Sequence, residues 1–184
     1  MQRREAIQKL AVLLGGISLT PQLLAAAASR AAAGEAPAGL PADRLALLAE
    51  MADTIIPTTD TPGAKAAGAQ NFIALVVEEC MKPQDKAAFW AALEAADRDC
   101  TAAYGKSFVD CSNEQRTAFF TKLEQSARTA PDPNFWRALK ALTIQAYFTS
   151  EIGMTQALAY DPIPGEWIPD MKIDDNTKAW ASMF

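Results

Sequence analysis

Residues 45–64 read LALLAEMADTIIPTTDTPGA, and this stretch decides the fold class. Its first half carries apolar side chains at the spacing of one helix face, at Leu45, Leu48, Met51, Ala52 and Ile55. Such a stripe predicts an amphipathic helix that packs against other elements. Pro57 lacks a backbone donor and its ring clashes with the preceding turn, so we expect the helix to end after Ile56.

A loop is predicted directly after this helix, over residues 57–64. The sequence PTTDTPGA combines prolines and a glycine with hydroxyl and carboxylate side chains that hydrogen-bond to their own backbone. These residue types resist regular structure. The loop is the first candidate surface for contact with another molecule.

Five more helical segments follow, and no strand pattern or repeat interrupts them. They are predicted to start near Gln70, Gln84, Ser112, Asp132 and Ser150. Most carry an apolar stripe, and Ser112 with Gln115 has the spacing of a capping box. The sequence therefore predicts an all-α fold, a compact bundle of about six helices.

The character of the chain changes at Asp161. Residues 161–184 contain prolines that prevent a helix, together with isolated aromatic side chains. We expect an extended, proline-rich tail that either wraps a partner or folds back along its own bundle. The organisation is then a signal at 1–33, a flexible leader at 34–40, a helical domain at 41–160 and this tail.

Residues 1–33 have the order of a secretory signal, with a basic start, an apolar run and a stretch of small residues. The adjacent Arg3 and Arg4 are typical of the twin-arginine type, whose substrates are exported after folding. Glycines and a proline break the apolar run, which falls short of the roughly 20 residues a membrane span needs. We expect a periplasmic protein without a membrane span of its own, attached to the membrane at most through a complex.

Composition excludes several classes of function. The net charge is −5, and removal of residues 1–30 leaves 13 basic and 21 acidic residues. This balance argues against nucleic acid and anionic lipid as partners, because both require a basic surface. The chain contains no histidine, which excludes imidazole-based catalysis and histidine-ligated zinc or haem.

Candidate catalytic groups are limited to acidic pairs at 78–79, 97 and 99, and 174–175. A catalytic carboxylate pair needs burial or neighbours that separate the two pKa values, whereas these pairs lie on predicted polar faces or in the tail. We interpret them as solvated surface charge. No catalytic, cofactor-binding or metal-binding residue is therefore predicted in this chain.

The three cysteines allow two interpretations. In an oxidising compartment Cys100 and Cys111 would form a disulfide, because they flank a turn and the intervening loop closes easily. Cys80 would then be left as a free thiol. Alternatively, Cys80 and Cys100 are small buried residues on apolar helix faces.

Several segments together resemble the gluconate 2-dehydrogenase subunit 3 family, the small accessory subunits of bacterial flavin-dependent sugar and sugar-acid dehydrogenases. They are LAEMADTIIPTTDTPGA at 48–64, FTSEIG at 148–153, ALAYDPIPG at 157–165 and KAWA at 178–181. The resemblance spans nearly the whole chain after the signal. One departure is that many members carry a cysteine after the Pro-Gly, where this chain has EWIPDM at 166–171. A covalent link to a partner through that position is therefore not expected.

The resemblance implies a non-catalytic subunit that binds a large flavoprotein of the glucose-methanol-choline type. The small subunit would assist maturation of this partner and carry it out by the twin-arginine route. FAD is expected in the partner and not in this chain. Whether a cytochrome c subunit joins the complex stays open.

Candidate partner contacts come from the loop and the tail. The loop candidates are Pro57, Thr58, Asp60, Pro62 and Gly63, and the tail candidates are Tyr160, Pro164, Trp167 and Trp180. Aromatic residues are the type that anchors interfaces. Two other functions stay open: a stand-alone periplasmic enzyme that acts on a sugar with paired carboxylates, and a helical envelope protein that binds some other ligand.

Overall fold

A computed structural model describes residues 37, 39–130, 134–161, 163, 165, 170, 172–175 and 177–180. The predicted signal with Arg3 and Arg4 lies outside the described residues, as do Pro164 and Trp167 of the tail.

Five α-helices form the described part of the chain. They are α1 (Ala42–Ile55), α2 (Ala69–Cys80), α3 (Pro83–Tyr104), α4 (Asn113–Ala127) and α5 (Phe135–Phe148). A 3-10 turn, Phe108–Asp110, precedes α4, and a π-helical turn, Gly153–Ala157, follows α5. The described residues contain no strand, only a single parallel bridge between Ala159 and Trp180. The predicted all-α fold of about six helical segments is confirmed, with the π-helical turn as the sixth.

Short sequence signals set the helix starts. The Ser112 hydroxyl accepts from the Gln115 backbone N–H at 3.4 Å, and the Gln115 side chain accepts from the Ser112 N–H at 3.0 Å, which confirms the capping box. At α5 the cap is Asn134, whose side-chain oxygen accepts from the Arg137 N–H at 3.3 Å. The predicted start of this helix near Asp132 lies outside the described residues.

The core is built from the predicted apolar stripes. The largest fully buried apolar side chains come from four helices and the 3-10 turn: Tyr147, Phe108, Leu48, Met51, Ile73, Leu93, Leu139 and Val77. Aromatic stacking ties α4 to this core, since the Phe120 ring lies 5.0 Å from Phe108 and 4.7 Å from Trp136 between centroids. Among the described residues, no helix is both long and apolar enough to cross a membrane.

The placement of Cys80 in a buried stripe was wrong. Its position continues the stripe of Ile73 and Val77, but Cys80 is exposed. It is the last residue of α2, and the chain turns away there toward α3. Helical spacing identifies a face, whereas burial also requires a neighbouring element over that face.

Candidate partner-binding site

The predicted loop is fixed to α5 by one buried tyrosine. The Tyr147 hydroxyl donates to the Pro62 carbonyl at 2.9 Å and lies 3.3 Å from the Thr61 hydroxyl oxygen. The Tyr147 side chain is only 2% exposed. A buried hydroxyl with two partners holds a defined geometry, so the loop has a set position against the bundle.

Contacts within the loop hold its shape. The Ala64 N–H donates to the Ile56 carbonyl at 2.8 Å, and the Gly63 N–H donates to the Thr58 hydroxyl at 2.9 Å. Gly63 is buried, and a Cβ at this position would lie 2.6 Å from both the Asp53 carboxylate and the Thr58 backbone nitrogen. Gly63 therefore shapes the loop from inside and offers little surface to a partner.

A carboxylate in α1 connects the base of the loop to α4. The Glu50 side chain contacts Lys65 Nζ and Arg116 Nη1, each at 2.5 Å. Arg116 also donates to the carbonyls of Phe108 and Val109 in the 3-10 turn. Burial raises the pKa of Glu50, but hydrogen bonds from Lys65 and Arg116 outweigh it, so the pKa lies below 4.5.

The π-helical turn folds against the end of α5. The Ser150 hydroxyl donates to the Tyr147 carbonyl at 2.6 Å and accepts from the Gly153 N–H at 3.0 Å. Ser150 therefore caps this last helical segment, as the sequence predicts. Tyr147 thus bonds to the loop through its hydroxyl and to Ser150, just before the turn, through its carbonyl.

Part of the tail lies along the residues that follow this turn. The Ala159 N–H donates to the Ala179 carbonyl at 2.8 Å, next to the bridge between Ala159 and Trp180. The Lys178 ammonium donates to the Gln156 carbonyl at 2.5 Å. The described residues 177–180 therefore fold back onto their own domain.

Asp60 in the loop and Lys178 in the tail carry opposite charges. The pKa of Asp60 is lowered first by a hydrogen bond from Thr59 and, more weakly, by the positive charge of Lys178. Hydrogen bonds link the loop to the end of α5, the end of α5 to Ser150, and the residues that follow Ser150 to the tail. We name this set the loop–tail site: residues 57–64, 147–160 and 177–180.

The loop–tail site exposes three large aromatic side chains. Phe148 is 39% exposed, Tyr160 42% and Trp180 54%. Tyr160 and Trp180 were predicted as contact residues, whereas Phe148 was missed. The sequence does contain a signal for an exposed position. Phe148 follows Ile144 by one helical turn, and both lie on the face of α5 opposite to Leu139.

The other predicted loop candidates differ in exposure. Pro57, Thr58 and Asp60 are exposed, and Pro62 is half-buried. The first three side chains are therefore accessible to a partner, while Pro62 contributes its carbonyl to the contact with Tyr147.

The acidic pairs considered as catalytic groups contain residues with structural contacts. Glu78 accepts from the Trp90 indole N–H at 2.8 Å and pairs with Lys86 at 2.9 Å. Asp97 accepts from the Ser107 hydroxyl at 2.9 Å and from the N–H of Phe108 at 2.7 Å.

The third pair lies in the tail, where Asp174 forms a local turn with Thr177. No group of three or more metal-ligand residues occurs in the part of the chain that the structure describes.

The two cysteines of the predicted pair lie side by side. Cys100 Sγ and Cys111 Sγ are 3.6 Å apart, and both residues are buried. Burial raises the pKa of the Cys100 thiol to about 12, and its contact with Cys111 adds to the increase.

Comparison with known proteins gives one match. A protein-family model described as Gluconate 2-dehydrogenase subunit 3 matches residues 42–165. The match covers all five α-helices, the loop, the π-helical turn and the start of the tail. The search of curated proteins found no match, and neither did the search of solved structures.

Proposed function

The chain belongs to the gluconate 2-dehydrogenase subunit 3 family, and we propose that it is the small, non-catalytic subunit of a periplasmic FAD-dependent dehydrogenase. The complex oxidises CH–OH groups of sugars or sugar acids. FAD and the substrate site belong to a catalytic flavoprotein of the glucose-methanol-choline type. This chain binds that flavoprotein, assists its maturation and carries it through the twin-arginine route.

The observation that supports the binding role is the set of exposed aromatic side chains on the loop–tail site. Phe148, Tyr160 and Trp180 lie next to backbone segments that internal hydrogen bonds already hold in place. Aromatic anchors dominate many protein interfaces. Because their supports are ordered before binding, association loses less conformational entropy.

The contacts of the acidic residues support a non-catalytic role for this chain, with oxidation carried out by the flavoprotein. Among the acidic groups proposed for a stand-alone enzyme, Glu78 and Asp97 already satisfy structural donors. Proton exchange between either of these two carboxylates and a substrate would disturb those structural contacts. This favours the interpretation of the chain as a binding subunit over that of a stand-alone enzyme.

Co-expression tests the proposed function directly. The catalytic flavoprotein is produced with and without this chain, and its FAD content, soluble fraction and dye-linked dehydrogenase activity in the periplasm are measured. We expect all three to fall strongly when this chain is absent. A flavoprotein that matures and is exported equally well alone would refute the maturation and export roles.

Surface variants test where the flavoprotein binds. Phe148→Ala and Trp180→Ala should each reduce co-purification of the flavoprotein, since truncated aromatic anchors typically cost more than about 1 kcal/mol of binding free energy. Leu75→Ala is the matched control, because Leu75 is an apolar residue of α2 that is 43% exposed and lies outside the loop–tail site. Equal co-purification of all three variants would place the interface elsewhere. Sugar turnover by the purified chain alone would favour the enzyme alternative.

A further inference from the structure

A buried pair of sulfur atoms joins the end of α3 to the segment before α4. Cys100 is fully buried in α3, and Cys111 is 6% exposed directly after the 3-10 turn. Their sulfur atoms are in van der Waals contact at 3.6 Å. Gly105 ends α3 with φ at 72°, a left-handed conformation that turns the chain back toward the helix.

We propose that Cys100 and Cys111 form an intrachain disulfide that closes in the folded chain once it reaches an oxidising compartment. The compartment rests on the export proposed above, whereas the pairing rests on the fold alone. The bond requires the sulfur atoms to approach to about 2.0 Å, so the folded chain already brings them most of the way together.

The solvent exposure of the two thiols determines which one reacts first. Cys111 reacts first, because it lies in a short irregular segment between exposed Asp110 and Ser112, whereas Cys100 lies inside α3 at zero exposure. The raised pKa of Cys100 likewise disfavours its thiolate as the first nucleophile.

The reaction is a thiol–disulfide exchange with a protein or small-molecule disulfide as oxidant. The Cys111 thiolate attacks one sulfur of the oxidant, forms a mixed disulfide and releases one thiolate. Cys100 then loses its proton and attacks the Cys111 sulfur, which releases the second thiolate. The cysteine pair loses two protons and two electrons, and the oxidant is reduced to two thiols.

The bond would hold the 3-10 turn against α3. That turn buries Phe108, and its carbonyls accept from Arg116, which in turn binds Glu50. The disulfide would therefore hold in place the 3-10 turn whose carbonyls position Arg116 for its contact with Glu50. It also closes a loop of about a dozen residues and so restricts the unfolded chain.

Alkylation and intact mass spectrometry test the pairing. The purified reduced chain is incubated with oxidised glutathione, denatured and treated with iodoacetamide. We expect no alkyl group on Cys100 or Cys111, whereas the exposed Cys80 carries either an alkyl group or a glutathione taken up by exchange, and the reduced chain carries three alkyl groups. The control variant Cys80→Ser should carry none after oxidation, and a proteolytic digest should contain a peptide that links Cys100 to Cys111.

Two further readouts complete the test. The oxidised chain should melt at a temperature higher by on the order of 10 °C than the reduced chain. Chain isolated from the periplasm should carry the bond without added oxidant. Alkylation of both Cys100 and Cys111 after either treatment would overturn the proposal, and would leave flavoprotein binding and export untouched, since those are measured separately by co-purification and fractionation.

Discussion

At the scale of single residues, Glu50 is the side chain that connects Lys65, at the base of the loop, to Arg116 of α4. Glu50→Gln removes the negative charge between Lys65 and Arg116, whose side chain is only 12% exposed. Because a largely buried guanidinium then lacks its counter-charge, we expect the free energy of unfolding to fall by about 2 kcal/mol. Urea denaturation at pH 7 measures it. Glu79→Gln, an exposed position of α2, should leave it unchanged.

Glu50 should also account for part of the loss of unfolding free energy at low pH. The pKa of Glu50 is lower in the folded chain than its ordinary value of 4.5. Its contribution to stability is therefore fully present above about pH 4.5 and is lost as the pH falls through the folded pKa. Glu50→Gln should flatten the decline of unfolding free energy between pH 5 and about pH 3. Parallel curves for the variant and the native chain would contradict this assignment.

The hydroxyl of Tyr147 contributes a contact between the loop and the bundle, and its contribution to stability can be measured. Tyr147→Phe keeps the buried ring but removes the hydroxyl that donates to the Pro62 carbonyl. We expect a loss of about 1 kcal/mol in the free energy of unfolding, since the carbonyl loses its partner. Tyr104→Phe, which keeps its ring beneath Lys122, is the control. Equal stability of the two variants would mean that the hydroxyl contact contributes nothing measurable.

At the scale of elements, the loop 57–64 depends on Gly63. Gly63→Ala places a methyl group 2.6 Å from the Thr58 backbone nitrogen, so the loop must shift. We expect about 2 kcal/mol of destabilisation and weaker co-purification of the flavoprotein. Gly165→Ala makes the same substitution in open space and should leave the free energy of unfolding unchanged. An unchanged stability of Gly63→Ala would show that the loop relaxes without strain.

The helices were predictable because their signals are local. The capping box at Ser112 and the stripe from Leu48 to Met51 each involve residues within one or two turns, and both predictions are confirmed. The prediction failed at Cys80, where burial depends on which element covers the end of α2. Local periodicity carries no information about such a neighbour.

The candidate site was predictable only in part, for the same reason. Proline, glycine and hydroxyl residues indicate the loop, and the tail prolines indicate an extended segment. The contacts of Tyr147 with Pro62 and of Glu50 with Arg116 join residues 85 and 66 positions apart. Such pairs follow from the packing of α1 against α4 and α5, which the sequence of one segment does not encode. Phe148 was not predicted because it lies on the face of α5 opposite to the buried stripe, and helical spacing does not tell a contact residue on that face from any other exposed residue.

Across the whole molecule, the residues that hold the fold together differ from the exposed residues that are proposed to contact a partner. Hydrogen bonds of Tyr147 and Glu50 hold the helices and the loop together, while Phe148, Tyr160 and Trp180 are exposed at the loop–tail site. A subunit of this kind presents a preformed surface, so a large partner can dock without reordering it. Partner binding and intrinsic stability should then respond to different substitutions.

The proposed export signal gives the last prediction, because an accessory subunit that carried such a signal would determine where its partner goes. The variant with Arg3→Lys and Arg4→Lys keeps the positive charge but removes the arginine pair that the twin-arginine route requires. We expect both this chain and the flavoprotein to remain in the cytoplasm, as measured by immunoblots and dehydrogenase activity of separated cell fractions. Arg30→Lys makes the same exchange outside the pair and should leave export intact. If the flavoprotein still reaches the periplasm when this chain does not, it travels by a signal of its own and the carrier role is wrong.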